Sequence, residues 1–116
     1  MAVGQINAVL NAGTQLTTSL VTQYTSTSKK TIIDKWTITN TTGSAATFTL
    51  HKVPSGGTAA DSNKLIPARS VNGGAIDQCP ELVGHSLESG DFIQIVASAG
   101  TTLTSMGSGR HVTGSP

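Results

Sequence analysis

Residues 30–52, KTIIDKWTITNTTGSAATFTLHK, alternate apolar and polar positions with a period of two, the spacing of a half-buried β-strand. Ile32, Asp34, Trp36 and Ile38 fall on one face of the first arm, and Ala46, Phe48 and Leu50 on one face of the second. Between the arms Asn40, Thr41, Thr42, Gly43 and Ser44 have turn composition. The stretch therefore predicts a β-hairpin with Ile32, Trp36, Ile38, Phe48 and Leu50 in the core. Asp34 is the exception on that face. An unpaired carboxylate is costly to bury, so Asp34 is expected to meet a Lys or Arg or to face a subunit boundary.

Towards the N-terminus, Val3, Ile6, Val9 and Leu10 follow a loose helical spacing that Gly4, Asn7 and Asn11 weaken, so residues 1–13 read as an extended or partly helical arm. A short apolar arm cannot cover its own side chains. Val3, Ile6, Val9 and Leu10 are thus candidate assembly contacts, lying on this domain or on a neighbouring subunit. In residues 14–27, Leu16 and Leu20 share a strand face while Val21 breaks register, which leaves one strand or two open.

Residues 54–63 form a polar loop, either exposed or crossing between sheets. KLIPARSV is a short strand that Pro67 assigns to an edge or an irregular position. The nearly continuous apolar run FIQIVA predicts a central strand covered on both faces, with Ile93 and Ile95 in the core. Residues 101–106 and 110–113 supply one or two further strands, separated by Gly107, Ser108 and Gly109. Together these elements predict an all-β chain: a single antiparallel β-sandwich or barrel-like domain of about seven to nine short strands over residues 14–116, preceded by the arm at 1–13.

Composition narrows the function classes. Only 11% of the 116 residues are charged and the net charge is +1, against about 25% charged in an ordinary globular protein. Such a surface does not gather nucleic acid, and 3% aromatic residues give few platforms for stacking bases. It also lacks the like-charge repulsion that keeps copies apart, which suits a protein packed against others. The single cysteine, Cys79, excludes an intrachain disulfide. No segment approaches the ~18 consecutive apolar residues of a membrane span, and residues 1–13 lack the basic start of a signal peptide. Synthesis in the cytoplasm is the expectation.

Candidate chemistry is sparse. His51, His85 and His111 show no short metal-ligand spacing, and solvent-facing or edge histidines are the simpler reading. Cys79, just before Pro80, reads as a small buried thiol rather than a nucleophile. Glu88 and Asp91 flank a turn in which Asp91 is expected to tie backbone amides, in preference to an acid/base pair. The Gly56–Gly57 and Gly73–Gly74 pairs open no helix and lack a phosphate-loop pattern. A small carbohydrate-binding sandwich is disfavoured because Trp36 and Phe48 belong to the predicted core. The expectation is a protein with no catalytic residues, metal or cofactor.

TIIDKWTITNTTGSAATFTLHKVPSGG, followed by LIP and then by LVGHSLESGDFIQIVASAG, resembles a group of small β-sandwich virion proteins of tailed bacteriophages. The resemblance covers roughly residues 30–100 and rests on residues 39–42, 53–57 and 87–91. It implies a noncatalytic structural role, in first place as a capsid decoration (cement) subunit on the capsid surface of the virion. The implied partners are sister copies, with a trimer favoured, and the major capsid protein. A tail, baseplate or fibre-associated module, with tail proteins as partners, is the alternative.

Overall fold

The structure is a computed structural model that describes residues 4–113. Nine strands follow in chain order: β1 (Gly4–Gln15), β2 (Val21–Thr25), β3 (Lys30–Asn40), β4 (Ala46–Val53), β5 (Lys64–Val71), β6 (Ile76–Asp77), β7 (Ser86–Leu87), β8 (Phe92–Ala97) and β9 (Leu103–Thr113). Among the described residues the only helical element is one 3-10 turn, Asp61–Asn63. One sheet has the order β1-β9-β3-β6, with β7 also paired to β3, and the other has the order β2-β8-β4-β5. All pairings are antiparallel. The chain is an all-β sandwich.

The pairing has a simple logic. β4 pairs with β5, β3 with β6 and β7, β2 with β8, and β1 with β9, so the chain is one long nested hairpin. Rolling that hairpin up adds the second set of neighbours, β3 with β9 and β4 with β8. Two facing sheets made in this way are a jelly roll, an architecture found in capsid, lectin and cupin domains alike.

Between the sheets Trp36, Ile38, Phe48, Leu50, Ile93 and Ile95 are each exposed by 1% or less, together with Leu16, Ile33, Ile66 and Leu103. Trp36 donates its indole N–H to Ser105 Oγ at 2.8 Å, which removes the cost of burying that polar group. Pro67 lies on β5, an edge strand, where a missing N–H costs no ladder bond. β8 is central in its sheet, but only one of its faces is fully buried.

Four expectations need correction. First, β3 and β4 form no hairpin: they lie in opposite sheets, and residues 41–45 arch between them. Buried Asn40 holds the arch, donating from Nδ2 to Ser44 O (2.7 Å) and Val71 O (2.9 Å) while Oδ1 accepts from the Thr42 N–H (2.9 Å). The same alternation serves a hairpin or an arch, since it fixes which side chains turn inward and not which strand lies alongside.

Second, Ile32 is half-buried on the outer face, and Ile33 occupies the core in its place. The register between β3 and β9 shifts between Ile33 and Lys35. This bulge adds Asp34 as an extra residue and reverses the in-out phase of everything before it.

Third, the glycines of the last segment interrupt nothing: β9 runs unbroken through Gly107 and Gly109. They are sites of close approach. A Cβ on Gly107 would overlap the Trp36 ring, and one on Gly109 would overlap the Ile32 carbonyl oxygen.

Fourth, the described part of the arm, residues 4–13, is the start of β1, an edge strand paired to β9 and continuous with its sheet. Leu10 is buried at 7% exposure within the chain's own core and is therefore no assembly contact. Val3 lies outside the described residues.

The Trp36–Gly107 contact gives a stability test. Gly107→Ala is expected to lower unfolding free energy by ~1–3 kcal/mol, the usual cost of overpacking a filled core. Gly43→Ala, where a Cβ meets nothing within 4 Å, should stay within ~0.5 kcal/mol of the parent. Chemical denaturation checks both; equal losses would contradict the packing described.

Candidate functional site

β1 is the edge of its sheet, with β9 as its only strand partner among the described residues. Gly4 to Val9 pair with Thr113 to Ser108 in continuous register, after which shifts occur between Val9 and Asn11 and between Asn11 and Thr14. Asn11 explains the change. It is buried and donates from Nδ2 to Gln23 O (2.9 Å) and Gln23 Oε1 (3.2 Å), while its Oδ1 accepts from Gly13 N–H (3.0 Å) and Thr14 Oγ1 (3.1 Å). These bonds draw the second half of β1 onto β2. The first half stays regular and open, with Ile6 exposed by 56% and Val9 by 72%.

Beside this edge the outer face of the sheet is hollowed. Val9, Ala12, Lys35, Thr37 and Met106 line an open, mostly apolar depression of about 480 Å³. A second depression of about 430 Å³, which includes Asn7, Val9 and Asp34 in its lining, shares Val9 with it. Met106 is 48% exposed at the centre of this surface. Two of its charges are matched to each other: Arg110 Nη2 lies 2.9 Å from Asp34 Oδ1, and Arg110 Nη1 donates to Gln5 Oε1 at 2.8 Å. Asp34 thus has the basic partner expected of it, but on the outer face, where the bulge puts it.

The remaining polar clusters are tied into the frame. His51, His85 and His111 sit on β4, on the loop before β7 and on β9. His51 Nδ1 is 2.9 Å from Asn63 Oδ1; His111 Nε2 is 2.9 Å from the Tyr24 hydroxyl, which also meets Thr31 Oγ1 at 2.9 Å. Asp91 accepts from the backbone N–H of Glu88 (3.0 Å) and of Ser55 (2.9 Å), so it braces two loops. Glu88 faces Lys30 at 3.5 Å. Among the described residues no three His, Cys, Asp or Glu side chains gather in a metal-holding group.

A charged clasp joins the two sheets. Arg69 on β5 reaches Asp77 on β6 (3.3 Å) and Glu81 in the following turn, with Arg69 Nη1 donating to Glu81 Oε1 at 2.9 Å. The hydrogen bonds from Arg69 hold the Glu81 carboxyl below its ordinary range. Cys79 lies beside the clasp, buried, with its N–H donating to Asp77 Oδ1 at 2.8 Å. Burial, reinforced by the neighbouring Asp77 charge, pushes its thiol far up and opposes the nucleophilic thiolate.

Of the four apolar residues assigned to assembly, the structure brings Ile6 and Val9 together on one exposed strand. Met106 and Lys35 escaped the sequence reading because each looked like an ordinary strand residue. The signal for Met106 was available: a long apolar side chain one position before a strand glycine, in a segment whose inward positions are Leu103, Ser105 and Gly107.

No protein-family model matches the chain, and no curated protein matches it. Among solved structures, a chain from the structure of infectious bursal disease virus Gx strain aligns with a TM-score of 0.42 and 16% identity, covering 96% of this chain and 31% of that one. The chain therefore spans less than a third of that protein's length.

The clasp sets an acid limit. Because the folded-state pKa of Glu81 is depressed from 4.5, its contribution is fully present above that value and fades as pH falls through the lower folded one. Glu81→Gln should be less stable than the parent at neutral pH, with the difference shrinking on acidification. Thermal melts from about pH 7 down to about pH 3 check this; a constant difference would remove Glu81 from the acid response.

Proposed function

We propose that this protein is a noncatalytic structural subunit of a tailed-bacteriophage virion, a capsid decoration (cement) protein that binds the major capsid protein and stabilises the shell at capsomer junctions. The observation that carries the reading is the outer face of the β1-β9-β3 sheet. There exposed Val9 and Met106 line a shallow, mostly apolar surface that also carries Lys35, while the adjacent Asp34 and Arg110 are paired with each other. Exposed apolar surface gathered in one place in this way marks a contact site. Being broad and open rather than a deep pocket, it suits a flat protein partner better than a small molecule.

Three further points support the reading. The jelly roll is used by capsid domains, although a fold alone assigns no function. Residues 30–100 resemble phage virion proteins. Trp36 and Phe48 are buried, so neither offers the flat exposed ring that a sugar site uses. Many equivalent shell sites would also let a modest single contact hold by multivalency.

Electron microscopy of purified particles tests the assignment, with added protein and with a Val9→Asp/Met106→Asp double variant. The expected result is density on the outside of the capsid, and shell occupancy reduced about tenfold or more by the variant, which corresponds to ~1.4 kcal/mol. Density confined to the tail, or occupancy unchanged by the variant, would overturn it.

A further inference from the structure

The four sheet edges of this molecule are finished differently. β5 carries Lys64, Pro67 and Arg69 and has register shifts against β4. β2 is five residues long and irregular between Thr22 and Tyr24. On the far side of the first sheet β6 and β7 are two residues each, and loop bonds from Gly84 N–H to Ile33 O (2.7 Å) and from Ile33 N–H to His85 O (2.9 Å) cover the gap between them. Charge, proline, bulges, brevity and loop cover are the devices that keep a strand edge from pairing with another chain. Among the described residues the first half of β1 has none of them. Gly4 to Val9 is regular, uncharged and free of proline, and it carries exposed Ile6 and Val9.

We infer that this edge is a homotypic seam: two copies of the chain pair antiparallel through Gly4 to Val9, about a two-fold axis perpendicular to the sheet, which then continues from one copy into the other. Charge and geometry point to a second copy as the occupant. In a two-fold pair the residue on the axis meets its own symmetry mate, so a charge there would be set against a like charge. The whole of Gly4–Gln15 contains none, and every register is free of that penalty. Arg110, one strand away, is paired with Asp34, two strands away, and Lys35 stands beyond β9 on β3.

The faces also agree. An axis perpendicular to the sheet keeps the outer faces of both copies on the same side, so residues of equal parity meet and one residue meets itself. The regular segment centres that residue on Ile6 or Asn7. The Val9 hollows of the two copies then lie on one continuous surface, flanking the seam. A three-fold ring, favoured by the resemblance, requires two different complementary surfaces on each subunit. The two-residue strands β6 and β7 on the opposite side of the sheet cannot match a six-residue edge.

With one residue on the axis, five of the six residues of the segment pair on each side, far fewer than the ~20–30 of a standard stable interface, so the dimer dissociates on dilution. The inference goes beyond shell binding and is tested without particles. Sedimentation of the full chain over a concentration series should show a monomer–dimer equilibrium. Ile6→Lys and Val9→Lys, both at exposed positions and so compatible with folding, should each shift it at least tenfold towards monomer with unchanged circular dichroism.

Single-cysteine variants at Gln5, Ile6, Asn7 and Ala8 provide a second arm, because antiparallel mates lie within disulfide range and Cys79 is buried. Oxidation should yield covalent dimers at Ile6 or Asn7 and little elsewhere. A strict monomer at every concentration, a trimer, or self-association indifferent to the lysine variants would each overturn the proposal, as would cross-linking with no preferred position. Failure of the parent protein to bind shells, with the dimer intact, would count against the cement role alone.

Discussion

Trp36 lies over Gly107 of the neighbouring strand with its indole N–H on Ser105, and much of the molecule is arranged to allow that contact. The inward positions of β9 shrink from Leu103 through Ser105 to glycine, making room for one large ring. Just before Trp36, β3 must take up the bulge at Asp34, which sends Ile33 inward and Asp34 out to Arg110. A regular strand would have carried the carboxylate into the core. The bulge thus resolves a burial problem and gives Arg110 an ion-pair partner on the outer face.

From that arrangement the candidate surface follows. With Trp36, Ile38 and Ile33 facing in, β3 presents Thr37, Lys35 and Ile32 outward, and β9 presents Met106 and Ser108. Beside them, Asn11 draws the second half of β1 onto β2 and leaves the first half straight. A flat apolar face and a bare strand edge therefore meet at Val9. In a chain with so few charges, nothing electrostatic prevents either surface from being covered by protein.

Strand content, the all-β class and the apolar residues of β3, β4 and β8 could be read from alternation, because a period of two reports burial directly. Partnership could not. Trp36 and Phe48 lie on inward faces whether their strands pair side by side or face each other across the sandwich, and the arch is set by Asn40 reaching Val71, thirty-one residues away. Ile32 was misplaced because a bulge has no composition of its own. The glycines of β9 resembled a turn until Trp36 was seen above Gly107. Val9 was visible as an unpaired apolar residue, whereas Met106 joins it on one surface only because β9 lies between β1 and β3.

The central claim is that the Gly4 to Val9 edge is bare in the single chain and covered in assembly. Hydrogen exchange of the full chain in dilute and concentrated solution tests it most directly, residue by residue. The account predicts that edge amides of residues 4–9 exchange rapidly when dilute and slow on concentration, while β2 and β5 remain unchanged. Exchange of residues 4–9 that is independent of concentration, or protection appearing at β5 instead, would contradict it.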